Sequence, residues 1–489
     1  MQIAVAERPA GTALAAPRAR RLPGLLSRAG WWATALAVTS VAAAMVFVAN
    51  TLSRWDNYRT NAFDLAFFDQ IIWNSSRGAW FQTTFVGYNF GGQHLEPILL
   101  LFAPAYWFGA GPPILLLAQA VGAAAAAGLL YATARRFGLS PVLSYATAGS
   151  FLLNPYLHRA LDFDFHPEVL IALPVFAAAW AAAAKRYRLA AVAAVSALLF
   201  KEDAAFVVIA LSALLWFEGA RRPALVTGGI AIAYAIIAVV VIMPLIRGGA
   251  PSDLVERYGY LVDTTRQSQF LPRLLVRPWV IPQHLFAPAQ LWTTTLFVSA
   301  SAPLALLRPR LVAFLLPGLA VALLASHPQQ HALELHYSAE SVPLVVLFGL
   351  LGARAALRFV PTPAVLLAIV VPVAIGFLAL SPFSPTANHP APPSETHLAA
   401  LRDGLALVPA DPELAISAQS SLLPRLSRRG KAWEFPQAAS RADWVVVDRY
   451  THRSNQSVEA GYDTVLAGVR TRFERVYDRD GVEVFRRKP

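Results

Sequence analysis

The chain has 489 residues, of which 56% are hydrophobic and only 14% charged, and its apolar runs are long enough to cross the roughly 30 Å of bilayer hydrocarbon. This composition predicts a polytopic α-helical membrane protein. The net charge is +12, but basic residues occur in small clusters between apolar runs, which argues against nucleic-acid binding. The absence of cysteine excludes disulfides and thiolate metal sites.

Residues 1–30 are the predicted N-terminal tail, and residues 31–51 are the first predicted span. The run 31–51 is too long for a signal-peptide core and has no small-residue cleavage site behind it. Arginines in the tail, such as Arg20 and Arg21, place the N-terminus in the cytoplasm, because cytoplasmic loops carry excess Lys and Arg. The first span then delivers residue 52 to the outer face.

Residues 52–111 are predicted to form one large outer loop. The apolar run 96–110 has 15 residues and an internal proline, whereas a span needs about 20 residues. If this run crossed the membrane, the basic pair Arg135 and Arg136 after the next span would fall outside. We therefore expect a helix that lies on the membrane surface.

The remaining spans follow from apolar runs combined with basic residues in the short loops. Their predicted ranges are 112–134, 141–157, 167–184, 189–200, 204–219, 224–246, 288–307, 310–326, 341–354 and 362–381. Together with the first span they make eleven, and basic groups such as Arg221 and Arg222 then lie inside. The odd number of spans places the C-terminus outside.

The C-terminal quarter changes character at a Pro/Ser-rich linker, residues 382–395. Residues 396–489 have the pattern of a small α/β domain on the outer side. "SETHLAALRDGLALV" predicts an amphipathic helix with Ser394 as N-cap, and "ELAISA" and "DWVVVD" predict buried strands. "FERVYDRDGVEVFRR" predicts a hairpin that turns at Asp480 and Gly481.

Polar residues that interrupt apolar sequence fall almost entirely on the predicted outer side. The main blocks are "WDNY", "FDLAFFDQ", "GGQHLEP", "HRALDFDFHPE", "KED" and "HPQQHALELHYSAE". Solvent-exposed loops account for any one of these polar residues. They do not account for the presence of nearly all of them on the outer side of the membrane. Because ionisable groups at membrane depth are costly, we expect an outer-face cavity lined by several loops.

Asp64 has two interpretations. With Asn61 as N-cap it lies at the third helical position, where a carboxylate satisfies backbone donors and the helix dipole. Alternatively, it faces the expected cavity. Asp69 lies five residues further along, so on a helix the two carboxylates point about 140° apart. A mechanism that needs both carboxylates at one bond is therefore not expected.

Two ligand classes stay open from the residue types. The His and acid groups of "HLE" and "DFDFHPE" offer ligands for a divalent cation, but no tight motif such as His-Glu-x-x-His occurs, so hydrogen-bonded pairs are the preferred interpretation. In the loop 247–287, Arg257, Arg266, Arg273 and Arg277 suit a phosphate-bearing lipid or serve as ordinary interfacial anchors.

Several of these blocks resemble a known family. "FDLAFFDQIIWNSSRG", "HLEPILLLFAPAYW", "DFHPEVLIALPVFAAA", "KEDAA", "LHYSAESVPL" and "ISAQSSLLPRLSRR" resemble, in this order, recurrent blocks of the bacterial membrane proteins called domain of unknown function 2079. The resemblance runs from about residue 55 to 450. That family is similar to the GT-C superfamily of membrane glycosyltransferases. The resemblance implies a GT-C-like fold in the bacterial plasma membrane, with sugar taken from a polyprenyl-phosphate carrier on the outer side.

On this resemblance we expect an inverting glycosyltransferase that moves a sugar from a polyprenyl-phosphate donor to a cell-envelope acceptor. One outer-loop carboxylate would remove the acceptor hydroxyl proton, with Asp64 as the first candidate and Asp56 as the second. Lys201, Arg257 and His336 are candidates near the departing phosphate. The other predicted substrate-binding residues are Asp69, Gln70, His94, Glu96, Asp164, His166, Glu168, Glu202 and Tyr337.

Two other classes of function are kept as alternatives. A transporter or lipid flippase would place polar groups near the midplane in two related halves, whereas here the charges lie at outer ends and no repeat is evident. A non-catalytic envelope scaffold would bind its partner through the C-terminal domain. Such a scaffold would not need a cavity that gathers Asp64, His94, His166 and His336.

Overall fold

The computed structural model describes residues 28–451 and 461–488, which form a helical bundle and a small C-terminal sheet domain. Most of the predicted N-terminal tail, residues 1–27, lies outside the described residues. Four helices of the described part are long and apolar enough to cross a membrane, by length and composition. These are Gly30–Asp56, Pro112–Arg136, Arg221–Arg247 and Thr362–Leu380. Each coincides with a predicted span.

The α-helices are numbered in chain order. In the first half they are α1 (Arg28–Asp56), α2 (Phe67–Ser75), α3 (Ala103–Trp107), α4 (Pro112–Arg136), α5 (Pro141–Leu152), α6 (Pro155–Asp162), α7 (Ala172–Ala183), α8 (Tyr187–Ser196), α9 (Ala205–Phe217), α10 (Arg221–Ile236) and α11 (Met243–Arg247). A π-helical segment, Ile237–Ile242, joins α10 to α11. Turns of 3-10 helix occur at Phe90–Gly92, Pro97–Leu101, Pro167–Ile171 and Ala197–Leu199.

The second half continues with shorter helices before two long ones. They are α12 (Asp253–Tyr258), α13 (Gln267–Val276), α14 (Val280–Leu285), α15 (Pro288–Ser301), α16 (Pro309–Val312), α17 (Leu316–Leu323), α18 (Pro328–His331), α19 (Ser341–Ala356), α20 (Thr362–Leu380), α21 (Glu395–Ala406) and α22 (Tyr462–Arg472). Further 3-10 turns lie at Gly259–Val262, Pro303–Leu307 and Leu423–Arg425.

Several predicted spans are interrupted. The predicted span 141–157 divides into α5 and α6, and the Asn154 side chain caps α6 by accepting from the N–H groups of Tyr156 and Leu157. Proline at the first position of α6 suits this break, because it has no N–H to donate to the preceding turn. The predicted span 310–326 likewise divides into α16 and α17. The count of eleven spans therefore stays a prediction.

The segment 96–110 forms two short helical turns in place of the single surface helix that its sequence predicts. It consists of the 3-10 turn Pro97–Leu101 followed by α3, and each has five residues. Leu101, Trp107 and Phe108 expose large apolar side chains there. The Trp107 ring N–H donates to the Ser76 carbonyl oxygen at 2.7 Å, which fixes the segment against the end of α2.

Glycines allow close helix contacts in the bundle. A Cβ at Gly352 on α19 would lie 1.8 Å from the Leu304 carbonyl oxygen, and a Cβ at Gly376 on α20 would lie 2.8 Å from the Ala300 Cβ. Because larger residues would collide with backbone there, glycine is what lets α19 and α20 pack against the segment 288–307. The interior of α19 is buried almost along its length as a result.

The C-terminal domain is a five-stranded sheet in the order β2-β1-β3-β5-β4. Its strands are β1 (Ile416–Ala418), β2 (Ala432–Glu434), β3 (Trp444–Asp448), β4 (Phe473–Arg479) and β5 (Val482–Arg487). β2, β1 and β3 run parallel, whereas β5 pairs antiparallel with both β3 and β4. Val446 and Val484 pack on the side of α21, and Val445 and Phe485 pack on the side of α22.

Local signals for this domain are confirmed. The Ser394 hydroxyl accepts from the His397 N–H at the start of α21, as the N-cap pattern predicts. The two segments around Asp480 and Gly481 pair as the antiparallel hairpin β4–β5. One core cluster joins α21 and the sheet to aromatic residues of the first loop, such as Phe67 and Tyr106. The domain is thus packed onto the segment that carries Asp64.

Candidate active site

A cavity of about 1130 Å³ lies between the first loop, the bundle helices and the segment 252–285. Its polar end gathers side chains from four separate stretches, including Asp64, His94, His166 and His336. Its other walls are apolar and come mainly from α13, α14, α17 and the π-helical segment. Representative apolar residues are Val239, Met243, Phe270, Leu274, Ile281 and Leu285. One cavity therefore contains both ionisable groups and an apolar groove.

Asp64 and two stacked histidines form the first polar group. Asp64 Oδ2 lies 3.1 Å from His166 Nε2, and the Asp64 side chain is 22% exposed while that of His166 is 2% exposed. The ring of His336 stacks on His166 with centroids 3.6 Å apart and planes 13° apart. Asp64 therefore keeps access to the cavity while its neighbours are enclosed.

The electrostatics of the stacked pair are asymmetric. Burial disfavours a charged ring, but the Asp64 carboxylate outweighs it and raises the pKa of His166. Burial and the charge of His166 lower the pKa of His336 well below its usual range. We infer a charged His166 beside a neutral His336, since two stacked imidazolium rings would repel each other.

The backbone before Asp64 is held by hydrogen bonds from two directions. The Asn61 N–H donates to Asp164 Oδ2 at 2.6 Å, and Arg54 lies 3.4 Å from the other oxygen of that carboxylate. The Ala62 N–H donates to the hydroxyl of Ser420 in the C-terminal domain at 3.1 Å. These contacts position the start of the segment that projects Asp64 into the cavity.

The capping interpretation of Asp64 is wrong. The Asn61 side chain makes no capping hydrogen bond, and Phe63 has a non-helical backbone with φ −88° and ψ 106°. The regular helix begins only at Phe67. Asp64 is thus freed from the helix end by this irregular backbone and pairs with His166 instead.

Lys201 is the centre of the second polar group. Its Nζ atom lies 3.6 Å from Glu168 Oε1 and 3.8 Å from Asp203 Oδ2. Although burial disfavours the charged amine, the surrounding carboxylates raise the pKa of Lys201 well above its usual value. Lys201 is therefore a permanent cation, but its charge is already shared by two carboxylates.

His94 and Glu202 form an ion pair beside Lys201. His94 Nδ1 lies 2.8 Å from Glu202 Oε1, and the Leu95 N–H donates to Glu202 Oε2 at 3.0 Å. Burial opposes ionisation of Glu202, but the His94 charge prevails and lowers the pKa of that carboxyl to about 2. Glu96, two residues after His94, is almost fully buried and also lines the cavity.

Arg257 and Tyr337 complete the predicted residues that line the cavity. Arg257 Nη1 donates to Gln330 Oε1 at 2.5 Å, and the Tyr337 ring lies 4.3 Å from the His336 ring. The other arginines considered for a lipid phosphate, Arg266, Arg273 and Arg277, are exposed and do not line it. Their surface position fits interfacial anchoring.

Arg247 and Asp203 are cavity residues that the sequence argument did not single out. Arg247 is only 6% exposed, and its Nη2 donates to Gln267 Oε1 at 3.1 Å. Its signal was an arginine at the end of the apolar run 224–246, where a charged group is costly without a function or partner. Asp203 belongs to the "KED" block, but only Lys201 and Glu202 of that block were predicted to bind substrate.

Asp69 and Gln70 do not line the cavity, which corrects their assignment as substrate-binding residues. The Asp69 carboxylate is fully buried and accepts from the hydroxyls of Tyr106 and Ser427, both at 2.7 Å. Gln70 donates to the Arg429 carbonyl oxygen and accepts from Thr83. Both side chains therefore tie the first loop to the C-terminal domain.

Asp56 and Asp164 also lie outside the cavity lining. Asp56 is exposed at the end of α1, so its assignment as second candidate base is not supported by its position. Asp164 is fully buried, and its carboxylate is occupied by the Asn61 N–H and Arg54. It acts on the site through the backbone that leads to Asp64, without contacting the cavity itself.

A metal ion fits the best cluster poorly. Asp64, His166 and His336 bring one ligand atom each within 4.8 Å of one another. However, imidazole lone pairs lie in the ring plane, and two stacked rings with centroids 3.6 Å apart and planes 13° from parallel do not direct their lone pairs to one ion at about 2 Å. The stacked arrangement instead suits face-to-face contact of one charged and one neutral ring.

The chain matches a family model and is similar to a solved structure. The model, described as "Predicted membrane protein (DUF2079)", matches residues 54–484. The crystal structure of ArnT from Cupriavidus metallidurans bound to undecaprenyl phosphate is similar with 14% identity and a TM-score of 0.46, over 94% of this chain and 98% of that one. Curated proteins give no significant match.

Proposed function

The chain belongs to the DUF2079 family of predicted membrane proteins, and we propose that it is a membrane glycosyltransferase that takes sugar from a polyprenyl-phosphate carrier. The acceptor in this proposal is a cell-envelope glycan or lipid on the outer side of the bacterial plasma membrane. The stereochemistry is inverting, because one accessible carboxylate suffices for a single displacement. The proposed base and stereochemistry rest on the cavity and on the placement of Asp64 within it, whereas the outer side rests on the topology predicted from the sequence.

The main support for the proposal is that one cavity contains both an accessible carboxylate and an apolar groove. At about 1130 Å³ the cavity exceeds the roughly 300–1,000 Å³ typical of small-molecule sites. A sugar phosphate would occupy only its polar end. The apolar walls, with Phe270 and Leu274 among them, suit the first isoprene units of the carrier.

Asp64 is the proposed base. Its carboxylate takes the proton of the acceptor hydroxyl while the hydroxyl oxygen bonds to the anomeric carbon. The bond from that carbon to the phosphate oxygen breaks, and the polyprenyl phosphate leaves with the electron pair. His166, 3.1 Å from Asp64, orients the carboxylate within the cavity.

Arginines at the junction of polar and apolar walls are suited to the phosphate. Arg247 and Arg257 both line the cavity close to its apolar part, and each has a side-chain amide of glutamine as its neighbour. A guanidinium can bind phosphate oxygens with two parallel N–H donors, which stabilises the charge that develops on the leaving group. Lys201 contributes less here, because its charge is shared with Glu168 and Asp203.

The gathering of Asp64, His94, His166 and His336 around one cavity argues against the scaffold alternative. A surface partner would need none of these groups to converge. The transporter alternative is disfavoured because the polar groups belong to loops and helix ends at one end of the bundle. His94, for example, follows the turn Phe90–Gly92, and His336 precedes α19.

The test is transfer by the protein purified in detergent, with a radiolabelled polyprenyl-phosphate sugar as donor and envelope lipid extract as acceptor. We expect Asp64→Asn to lower the rate by about 10²–10⁴, because a positioned general base contributes about that factor. Circular dichroism and thermal unfolding should stay close to those of the unmodified protein.

Asp56→Asn is the matched control, since Asp56 lies in the same loop region but is exposed and outside the cavity. Its transfer rate should remain within about twofold of the unmodified protein. If Asp56→Asn abolished transfer while Asp64→Asn did not, the assignment of the base would be overturned. Absence of transfer with every donor, together with donor-dependent lipid movement across vesicles, would favour a flippase.

A further inference from the structure

Carboxyl groups are concentrated around Lys201 at the polar end of the cavity. Among the described residues, Lys201 and His94 are the basic side chains paired with the carboxyl groups around Lys201, and His166 is paired with Asp64. The carboxylates themselves are Glu96, Glu168, Glu202 and Asp203, with Glu340 near enough for its charge to act on Lys201. His94 pairs with Glu202, so Glu168 and Asp203 share the single charge of Lys201.

Several oxygens of this group have no hydrogen-bond partner in the described part of the chain. They are Oε2 of Glu96, Oε2 of Glu168 and Oδ1 of Asp203. The Glu96 and Glu168 residues are only 2% and 4% exposed, so solvent does not replace the missing partners freely. Buried polar oxygens without partners are costly, which indicates that a ligand supplies the donors.

The spacing of these oxygens excludes a single metal ion. Within residues 28–451 and 461–488, the trio Asp64, His166 and His336 is the one group of three metal-capable residues with ligand atoms inside 4.8 Å. Oxygen ligands of Mg²⁺ or Ca²⁺ converge at about 2.0–2.6 Å from the ion, and the carboxyl groups around Lys201 do not form such a group within the described ranges. Glu96, Glu168 and Asp203 all line the cavity, so their unpartnered oxygens are available to a ligand there.

The protonation of the group also suits hydroxyl ligands. Burial and the neighbouring Glu168 raise the pKa of Glu96 well above its usual range, so this carboxyl tends to be neutral. A neutral carboxyl donates one hydrogen bond and accepts others, while the ionised carboxylates only accept. Sugar hydroxyls, which both donate and accept, match this mixture, whereas an anionic substituent would meet repulsion from the ionised members.

We propose that Glu96, Glu168 and Asp203 form the sugar-binding subsite and that it selects a sugar bearing no anionic group. The proposal rests on the glycosyltransferase function proposed above and names the class of sugar that the site takes. Hydroxyl groups of the sugar donate to the unpartnered oxygens, with Lys201 holding Glu168 and Asp203 in place. A uronic acid brings a further carboxylate into this enclosure and is excluded.

The experiment compares two donors that have the same carrier, polyprenyl-phosphate glucose and polyprenyl-phosphate glucuronic acid. Donor binding is measured as thermal stabilisation of the full-length protein in detergent, and sugar transfer is then measured with the same donors. Binding is measured separately from chemistry, so that the two proposals can fail independently. We expect the glucuronic acid donor to bind about 100-fold more weakly, because juxtaposed like charges cost several kcal/mol. Polyprenyl phosphate without sugar serves as the reference for the carrier alone.

Glu168→Gln and Asp203→Asn test the origin of the selectivity, since each keeps the side-chain shape and removes one carboxylate paired with Lys201. We expect each to lower the ratio of glucose to glucuronic acid binding by about tenfold. A ratio is insensitive to a general loss of folded protein. Glu256→Gln is the control, because Glu256 lines the same cavity with a 68% exposed side chain, and should leave the ratio unchanged.

Equal binding of the two donors overturns the selectivity proposal even if transfer is observed. Selective binding of the glucose donor without transfer supports the subsite while contradicting the glycosyltransferase proposal. If neither donor stabilises the protein beyond polyprenyl phosphate alone, the subsite is not a sugar site. A binding ratio that Glu256→Gln changes as much as Glu168→Gln does would assign the selectivity to the overall electrostatic field of the cavity instead.

Discussion

Asp64 and Asp69 stand five residues apart in the same segment, yet they lie in opposite kinds of surroundings. The polar end of the cavity surrounds Asp64 with groups that lack partners, whereas Asp69 belongs to a fully bonded contact. We call this contact the junction: Asp69, Gln70 and Tyr106 of the first loop against Ser427 and Arg429 of the C-terminal domain. The irregular backbone at Phe63 lies before Asp64, whereas Asp69 lies on the regular helix α2, so the two side chains point to different parts of the molecule.

The difference between the two carboxylates shows how a buried acid is made either structural or reactive. Two hydroxyl donors at 2.7 Å occupy the oxygens of Asp69 and leave no place for a substrate. Asp64 has one ionic neighbour and an accessible face. Satisfied hydrogen bonds fix a structure, while an unfilled acceptor in a cavity is available for binding or proton transfer.

The largest expected effect separates the two aspartates by stability. Asp69→Ala should lower the free energy of unfolding by about 4 kcal/mol, because two buried hydroxyl donors lose their acceptor and a cavity remains. Equilibrium unfolding of the purified protein in detergent, followed by tryptophan fluorescence, measures this loss. Asp64→Ala is the partner variant and should lower the same quantity by less than Asp69→Ala does, because the Asp64 side chain is 22% exposed and its buried neighbour His166 can become neutral. Equal losses would remove the distinction.

Sequence patterns were sufficient where one local signal decides the structure. The apolar runs at 112–134 and 362–381 gave helices with nearly the same bounds, and Ser394 capped α21 as its pattern indicates. Sequence patterns also predicted that the loops carrying His94, His166 and His336 meet at one cavity, and all three residues line it.

Long-range contacts explain what the sequence could not reveal. Nothing next to Asp69 indicates that Ser427, more than 350 residues away, supplies its hydrogen bond, so its carboxylate resembled a binding group. The break before α6 was likewise hidden inside a continuous apolar run, although Asn154 and Pro155 are typical of a helix start. The stacking of His166 on His336 depends on two loops and has no local signature.

The second expected effect is a pH dependence confined to the junction. Burial raises the pKa of Asp69 to about 6 from 3.8, although hydrogen bonds from Ser427 and Tyr106 oppose the rise. The folded state therefore holds this proton more tightly than the unfolded chain. The stability from Asp69 is complete below pH 3.8 and is lost as pH rises through about 6, by about 3 kcal/mol.

Asp69→Asn isolates this contribution, because an amide of similar shape does not titrate. Unfolding free energies of the two proteins, measured from pH 4 to pH 8, should differ most in slope between pH 4 and pH 6. The stability of the unmodified protein relative to Asp69→Asn should fall with rising pH in that interval and be constant above it. Parallel curves would mean that the ionisation of Asp69 is not linked to folding.

A smaller effect is expected from the partner side of the junction. Ser427→Ala removes one of the two hydrogen bonds to Asp69 and should cost about 2 kcal/mol of unfolding free energy, as is typical for bonds to a charged group. Ser76→Ala, which removes a half-buried hydroxyl bonded to the Trp73 carbonyl oxygen, is the matched control. The Ser427→Ala effect should disappear in the Asp69→Asn background if the two residues act together.

The smallest expected effect tests whether the junction extends to α1. Arg425 lies with its guanidinium carbon 3.8 Å from the Trp55 ring centroid and 4.6 Å from that of Tyr58, and it donates to the Trp55 carbonyl oxygen at 2.7 Å. Arg425→Lys keeps the charge but loses the planar stacking, so about 1 kcal/mol should be lost. Thermal unfolding measures the loss, and Arg428→Lys is the exposed control.

Because Arg425 contacts the end of α1 and not the cavity, transfer per folded molecule should be unchanged. A drop in transfer would instead mean that the docking of the C-terminal domain positions Asp64 through α1, and the division between junction and cavity would then be one of degree.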